Sequence, residues 1–254
     1  MTVSGALLPV LAAVLICGYY LGGVRIWRPW IDALARLTAA LSTVTYADWL
    51  SFCRLLAAVV LQAAFFALLL ALLPVDLGSL FPGVPPAPDL IRSILLGIGL
   101  LGVGATMCQT ILQAAMHLVP HPEFSRSDDW SMLTQSGWMA EFRRTSRALG
   151  KPACFVLSAA YIAVEETIFR GVVLQSASGY GPTAAVALSV ALFLVAQCTV
   201  TVNWRAAIFP LTGAGVLGLV HGVLAVNGVP LALLIVSHIV MFAIPMLVDY
   251  GRSP

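Results

Sequence analysis

Three ionisable side chains lie within six residues of one another in an otherwise oily stretch. They are Glu165, Glu166 and Arg170, in the run Tyr161-Ile162-Ala163-Val164-Glu165-Glu166-Thr167-Ile168-Phe169-Arg170-Gly171. The apolar segment around them covers 153–177. In a helix immersed in hydrocarbon each charge costs roughly 2.5–3.5 kcal/mol near the centre, on the order of 7–10 kcal/mol for the three before any pairing. Charges retained at such a cost are candidates for function. Helical geometry sorts them. Glu166 and Arg170 are four apart, share a face and can pair, with the acid on the favoured N-terminal side. Glu165 is rotated about 100° from Glu166, so Arg170 cannot easily serve both. One carboxylate is therefore expected to be held by the arginine and the other, Glu165, to be aimed at a neighbouring helix. A carboxylate removed from water binds a proton more readily, which is what a general base requires. The same three residues would equally serve a bridge that only locks helices together.

The elements that must position this trio are membrane helices. The 254-residue chain is 60% hydrophobic and 9% charged, against about 25% charged residues in a soluble domain. Mean hydropathy is +0.98. A net charge of +2 without a dense basic run argues against nucleic acid as a partner. The expected fold class is all-α: a polytopic helical membrane protein with about seven transmembrane helices plus interfacial amphipathic helices. The apolar runs fall at about 5–24, 54–75, 92–118, 153–176, 182–200, 207–226 and 229–249. Residues 1–152 are read as N-terminal membrane helices with interfacial and cytosolic surface helices, and 153–254 as the core carrying the charged trio. Met1 to Gly5 has no Lys or Arg and no small-x-small cleavage site follows, so the first run is expected to be retained.

Between the first two runs, 25–50 is amphipathic, with Trp27, Trp30, Tyr46 and Trp49 among Arg25, Arg28, Asp32 and Arg36, as for a helix lying in the interface. Residues 76–90 form a turn-rich loop. Within 119–152, Asp128 is a cap candidate and 132–149 a surface helix. If seven spans alternate, eleven of the thirteen Lys and Arg fall on one side, and only Arg92 and Arg170 on the other. That asymmetry predicts an N-terminus outside and a C-terminus in the cytosol, and the protein is expected to be integral to a bacterial plasma membrane.

The run Glu165-Glu166-Thr167-Ile168-Phe169-Arg170-Gly171 resembles the first motif of the CPBP family of intramembrane endopeptidases. That family includes CAAX-type prenyl-protein proteases and bacteriocin-processing or self-immunity relatives. Its second motif, a phenylalanine followed four residues later by histidine, is matched by Phe193 with Gln197 in the histidine place. A glycine-rich helix follows, supplied by Gly213-Ala214-Gly215-Val216-Leu217-Gly218. The last motif, histidine followed four residues later by asparagine or aspartate, meets Ser237-His238 with Phe242 in the final place. The resemblance implies that Glu165 is the base that activates water, that Glu166 and Arg170 support it, and that His238 is an oxyanion donor or an acid. Gln197 can hydrogen-bond a water but cannot relay its proton, and Phe242 has no donor to offer.

The implied partners are a membrane-anchored protein or peptide substrate and the lipid bilayer. Two further function classes remain open: a catalytically silent member that binds a membrane peptide, as an immunity factor would, and a proton-coupled transporter. No cofactor is expected. Zinc is disfavoured because Glu165, Gln197 and His238 are a poor ligand set, and His117 with His121 lacks an acidic third ligand. His221 either takes over the missing histidine's role or packs as a hydrogen-bonded core residue. Cys17, Cys53, Cys108, Cys154 and Cys198 have no CxxC spacing and are read as buried thiols. Gln62, Gln109 and Gln113 are expected to hydrogen-bond between helices.

Overall fold

The computed structural model describes residues 3–118, 137–199 and 204–248. Asp128 and His121, together with the start of the surface helix expected at 132–149, lie outside them. Among the described residues the fold is helical, without strands. The chain is an all-α membrane protein. Four of its helical stretches, Leu7–Leu41, Tyr46–Leu72, Ala87–Ile111 and Lys151–Tyr180, are long and apolar enough to cross a bilayer. Three shorter apolar helices follow, at Pro182–Cys198, Pro210–Val226 and Leu231–Ile244. All seven coincide with the apolar runs of the sequence.

Helix α1 (Val3–Cys17) passes through a π-helical turn (Gly18–Gly23) directly into α2 (Val24–Thr38). The amphipathic stretch is thus an extension of the first helix and ends at Leu41 rather than running to residue 50. The reason is local. The backbone keeps helical dihedrals through Gly23 and the α2 start, so nothing separates the two pieces. Ser42 is extended, and Thr45 caps a new helix by accepting from the Asp48 amide at 3.3 Å. That helix, α3 (Tyr46–Leu72), begins eight residues before the apolar run because its polar first turns find partners. Arg54 makes two parallel bonds to Asp32 of α2, at 3.1 and 3.0 Å. Asp48 accepts from Arg147 at 2.7 Å. Arg147 belongs to α6 (Gly137–Leu149), which buries Phe142, Thr145 and Ser146 against its neighbours.

After the short α4 (Leu77–Leu80) comes α5 (Ala87–Leu118). The charged trio lies where α7 (Lys151–Glu166) passes into a second π-helical turn (Thr167–Val173) and then α8 (Leu174–Ala177). Three helices complete the core: α9 (Pro182–Cys198), α10 (Trp204–Val226) and α11 (Leu231–Val248). Ile168, Phe169, Val172 and Val173 are fully buried against Tyr20, Phe65, Leu192, Phe193 and Leu217. The π turn is therefore sheathed by α1, α3, α9 and α10. π turns are rare and concentrate at functional sites.

Helix α5 packs closely on α11 because Gly97 has no side chain. A Cβ there would drive into the backbone carbonyl of Ser237 and come within 2.9 Å of the Val240 Cβ. Small residues let membrane helices approach in this way. Ser237 and His238 adjoin that contact, so Gly97→Ala is expected to displace the site as well as the packing. The expected cost is about 1–3 kcal/mol. A thermal melt in detergent checks it, and an unchanged melting temperature would contradict the contact.

Two sequence expectations need correction. Gln62 does bond between helices, donating to the Tyr20 hydroxyl at 3.0 Å. Among the described residues Gln109 and Gln113 make no such bond, and both are exposed on α5. Of the five cysteines read as buried thiols, Cys108 and Cys154 are buried, Cys17 and Cys53 are half-buried and Cys198 is exposed; all five are free.

Candidate active site

Glu165 and Glu166 end α7, so consecutive side chains leave the helix towards different neighbours. Glu166 is completely buried and faces α10 and α11. Its Oε1 lies 2.7 Å from His238 Nδ1, and its Oε2 lies 3.2 Å from His221 Nδ1 and 3.4 Å from Arg170 Nε. The i,i+4 pair anticipated from spacing is therefore present, but it is one of three contacts on the same carboxylate. Glu165 is 3% exposed and faces α9, where its Oε1 accepts from Gln197 Nε2 at 3.2 Å. Tyr20 and Tyr161, whose hydroxyls bond one another, stand near it.

The imidazole of α11 bonds Glu166 and not the proposed base Glu165, because the direction of Glu166 is the one that points at α10 and α11. His221 is a fully buried, hydrogen-bonded histidine, and its partners place it in this cluster. Both of its ring nitrogens are engaged, Nδ1 by Glu166 and Nε2 by Ser237 Oγ at 3.2 Å. With Glu166 as a carboxylate, both Nδ1–H groups donate to it and His221 Nε2 accepts the Ser237 hydroxyl. Ser237 is the chain neighbour of His238, so the bonds close a ring from α7 through α10 to α11 and back. Among the described residues nothing bonds His238 Nε2, and this side chain is 12% exposed while its partner Glu166 is at 0%.

Arg170 is buried as deeply as its acid. Its guanidinium lies over the Phe193 ring, 4.3 Å from the centroid. Among the described residues its nitrogens make no hydrogen bond. Charge attraction to Glu166 and the π face of Phe193 hold it in place. Phe193 also packs edge-on to the His238 ring, with centroids 6.4 Å apart. Phe193 thus braces both the arginine and the imidazole. Ser189, one turn earlier on α9, donates to the Phe169 carbonyl at 2.8 Å, a carbonyl within the π turn. Phe242 points away from this cluster, into an apolar contact with Phe142, Leu55 and Cys154.

All five residues singled out from the sequence, Glu165, Glu166, Arg170, Gln197 and His238, meet in one buried cluster. His221, read from the sequence as a stand-in for the missing histidine or a hydrogen-bonded core residue, joins it together with Ser237, Tyr20 and Tyr161. A polar or ionisable side chain inside an apolar run was the available signal, and it applied to Tyr20, His221 and Ser237 alike.

Residues 148–244 match the family described as type II CAAX prenyl endopeptidase Rce1-like. The matched stretch runs from the end of α6 into α11 and contains both glutamates, Arg170, Phe193, Gln197 and both histidines. Neither a curated protein nor a solved structure matches the chain.

Proposed function

We propose that this chain, a member of the CPBP/CAAX intramembrane protease family, is a glutamate-type endopeptidase that hydrolyses a peptide bond close to its substrate's membrane anchor. One observation carries the reading. Glu166 is engaged by Arg170, His221 and His238, whereas Glu165 beside it accepts from a single neutral amide. A carboxylate held by two imidazole N–H donors and an adjacent guanidinium charge is a poor base. Its neighbour keeps acceptor capacity for a water proton.

Glu165 takes the proton of the attacking water, with Gln197 fixing the carboxylate. In its protonated form His238 donates Nδ1–H to the Glu166 carboxylate, which directs Nε2–H at the developing oxyanion. The proton on Glu165 then passes to the leaving amine. This chemistry needs no metal. Both Nδ1 atoms are turned onto Glu166 and His221 Nε2 onto Ser237, so the donors face one another instead of converging on a common point.

By the family's description, a peptide with a prenylated cysteine near its C-terminus is the substrate class to present. The test is reconstitution of the purified protein with such a peptide and mass spectrometry of the products. Endoproteolysis next to the lipidated residue supports the reading, and an intact peptide under conditions where it binds overturns it. The second outcome would support the other reading, a silent peptide-binding member, which the presence of Gln197 and Phe242 in the motif positions favours.

On the same reading the N-terminus is outside and the C-terminus cytosolic, following the Lys and Arg asymmetry. Val84, 96% exposed in the loop between α4 and α5, then faces outwards. A cysteine introduced by Val84→Cys should react with an impermeant maleimide in intact cells. Labelling only after the cells are broken would reverse the orientation.

A further inference from the structure

We propose that α2 carries a binding site for the phosphate of an anionic phospholipid. Arg25, Arg28, Asp32 and Arg36, with Pro29, line a recess of about 400 Å³ along one stripe of this helix. The single carboxylate in the recess is already engaged, since both oxygens of Asp32 accept from Arg54 of α3. Arg25, Arg28 and Arg36 are exposed, and among the described residues no carboxylate pairs with them. Three guanidinium groups at helical spacing around one hollow present a fork of donors suited to a phosphate.

The same helix indicates where that phosphate comes from. On the side roughly opposite the arginine stripe, Trp27, Trp30, Leu34 and Leu37 are 48%, 69%, 57% and 79% exposed. An apolar band of this kind, with two indoles, is covered by acyl chains at the level of the headgroups. The band and the recess flank the face through which Ala35 is buried, and both continue without a break from the first membrane helix. A free phosphate ion would satisfy the arginines but leave the band uncovered. A diacyl lipid with an anionic headgroup fits both.

The test uses the full chain in neutral detergent, with retained lipid counted by native mass spectrometry. Phosphatidylglycerol and phosphatidylcholine of matched acyl chains are the probes. The wild type should prefer phosphatidylglycerol, and a preference that weakens with salt is expected of guanidinium–phosphate contact. The triple variant R25Q/R28Q/R36Q should lose affinity on the order of a hundredfold, about fivefold per arginine. The arginines are exposed, so these variants should fold. Arg92→Gln, an exposed arginine on another helix, should leave the preference intact. Equal retention of the two lipids by the wild type would overturn the site. An equal loss in R92Q would do so too, because the effect would then be one of net charge. Displacement of phosphatidylglycerol by inorganic phosphate at equal concentration would overturn the lipid as its occupant.

Discussion

Glu165→Gln should lower peptide hydrolysis by roughly 10²–10⁴-fold and leave the fold intact. The substitution is nearly isosteric, and the amide oxygen can still accept the hydrogen bond that Gln197 donates at 3.2 Å. What is lost is the capacity to take a proton from water. Among the described residues no cation forms a salt bridge with Glu165, so its neutralisation breaks no ion pair, unlike that of Glu166. The checking measurement is the initial cleavage rate of a prenylated peptide by wild type and variant at matched concentrations, with melting temperatures alongside. Cleavage at the wild-type rate would exclude Glu165 as the base. Glu166→Gln should differ in kind, losing stability along with activity, since it removes the carboxylate that Arg170 and two imidazoles share.

Arg170→Met should be the most destabilising of the conservative-volume changes in the core. Breaking a fully buried ion pair from one side costs about 3–5 kcal/mol, because the remaining charge stays out of water. Here the remaining charge is Glu166, completely buried between α7, α10 and α11. For a chain of this size the loss corresponds to a fall in melting temperature of about 10 °C. The double variant Arg170→Met with Glu166→Gln should recover part of it, because no uncompensated charge is then left. A single variant as stable as wild type would mean that the pair adds nothing, and that Phe193 merely packs against a long side chain. The prediction depends on burial. The bond between Arg54 and Asp32 is of better geometry, at 3.1 and 3.0 Å, yet both side chains are 25% exposed. Solvent there weakens the attraction and lowers the penalty for breaking it, so the corresponding substitution should matter much less.

Helical spacing alone established that Glu166 and Arg170 share a face and that Glu165 does not. It did so because a side chain's azimuth on a helix depends only on residue number. The seven apolar runs were legible for a similar reason: the bilayer selects length and hydropathy, both of which are local sums along the chain. The motif residues from Glu165 to His238 could be named in advance, and the family match over 148–244 covers the same stretch.

Which neighbour each carboxylate meets is a property of packing. His238 went to Glu166 rather than Glu165 because α10 and α11 lie on the side to which Glu166 points, and no period in the sequence encodes the order of helices around α7. His221 could be seen as a histidine in an apolar run, but its two bonds, to Glu166 and to Ser237, join helices 55 and 16 residues apart along the chain. Tyr20 reaches the cluster from the first helix, across more than a hundred residues of chain. The close approach of Gly97 to Ser237 is likewise invisible until α5 and α11 are side by side. Local chemistry determined which residues could be functional, and the assembly of the bundle decided which of them share an atom, because hydrogen bonds and buried charges act over a few ångströms of space whatever their separation in sequence.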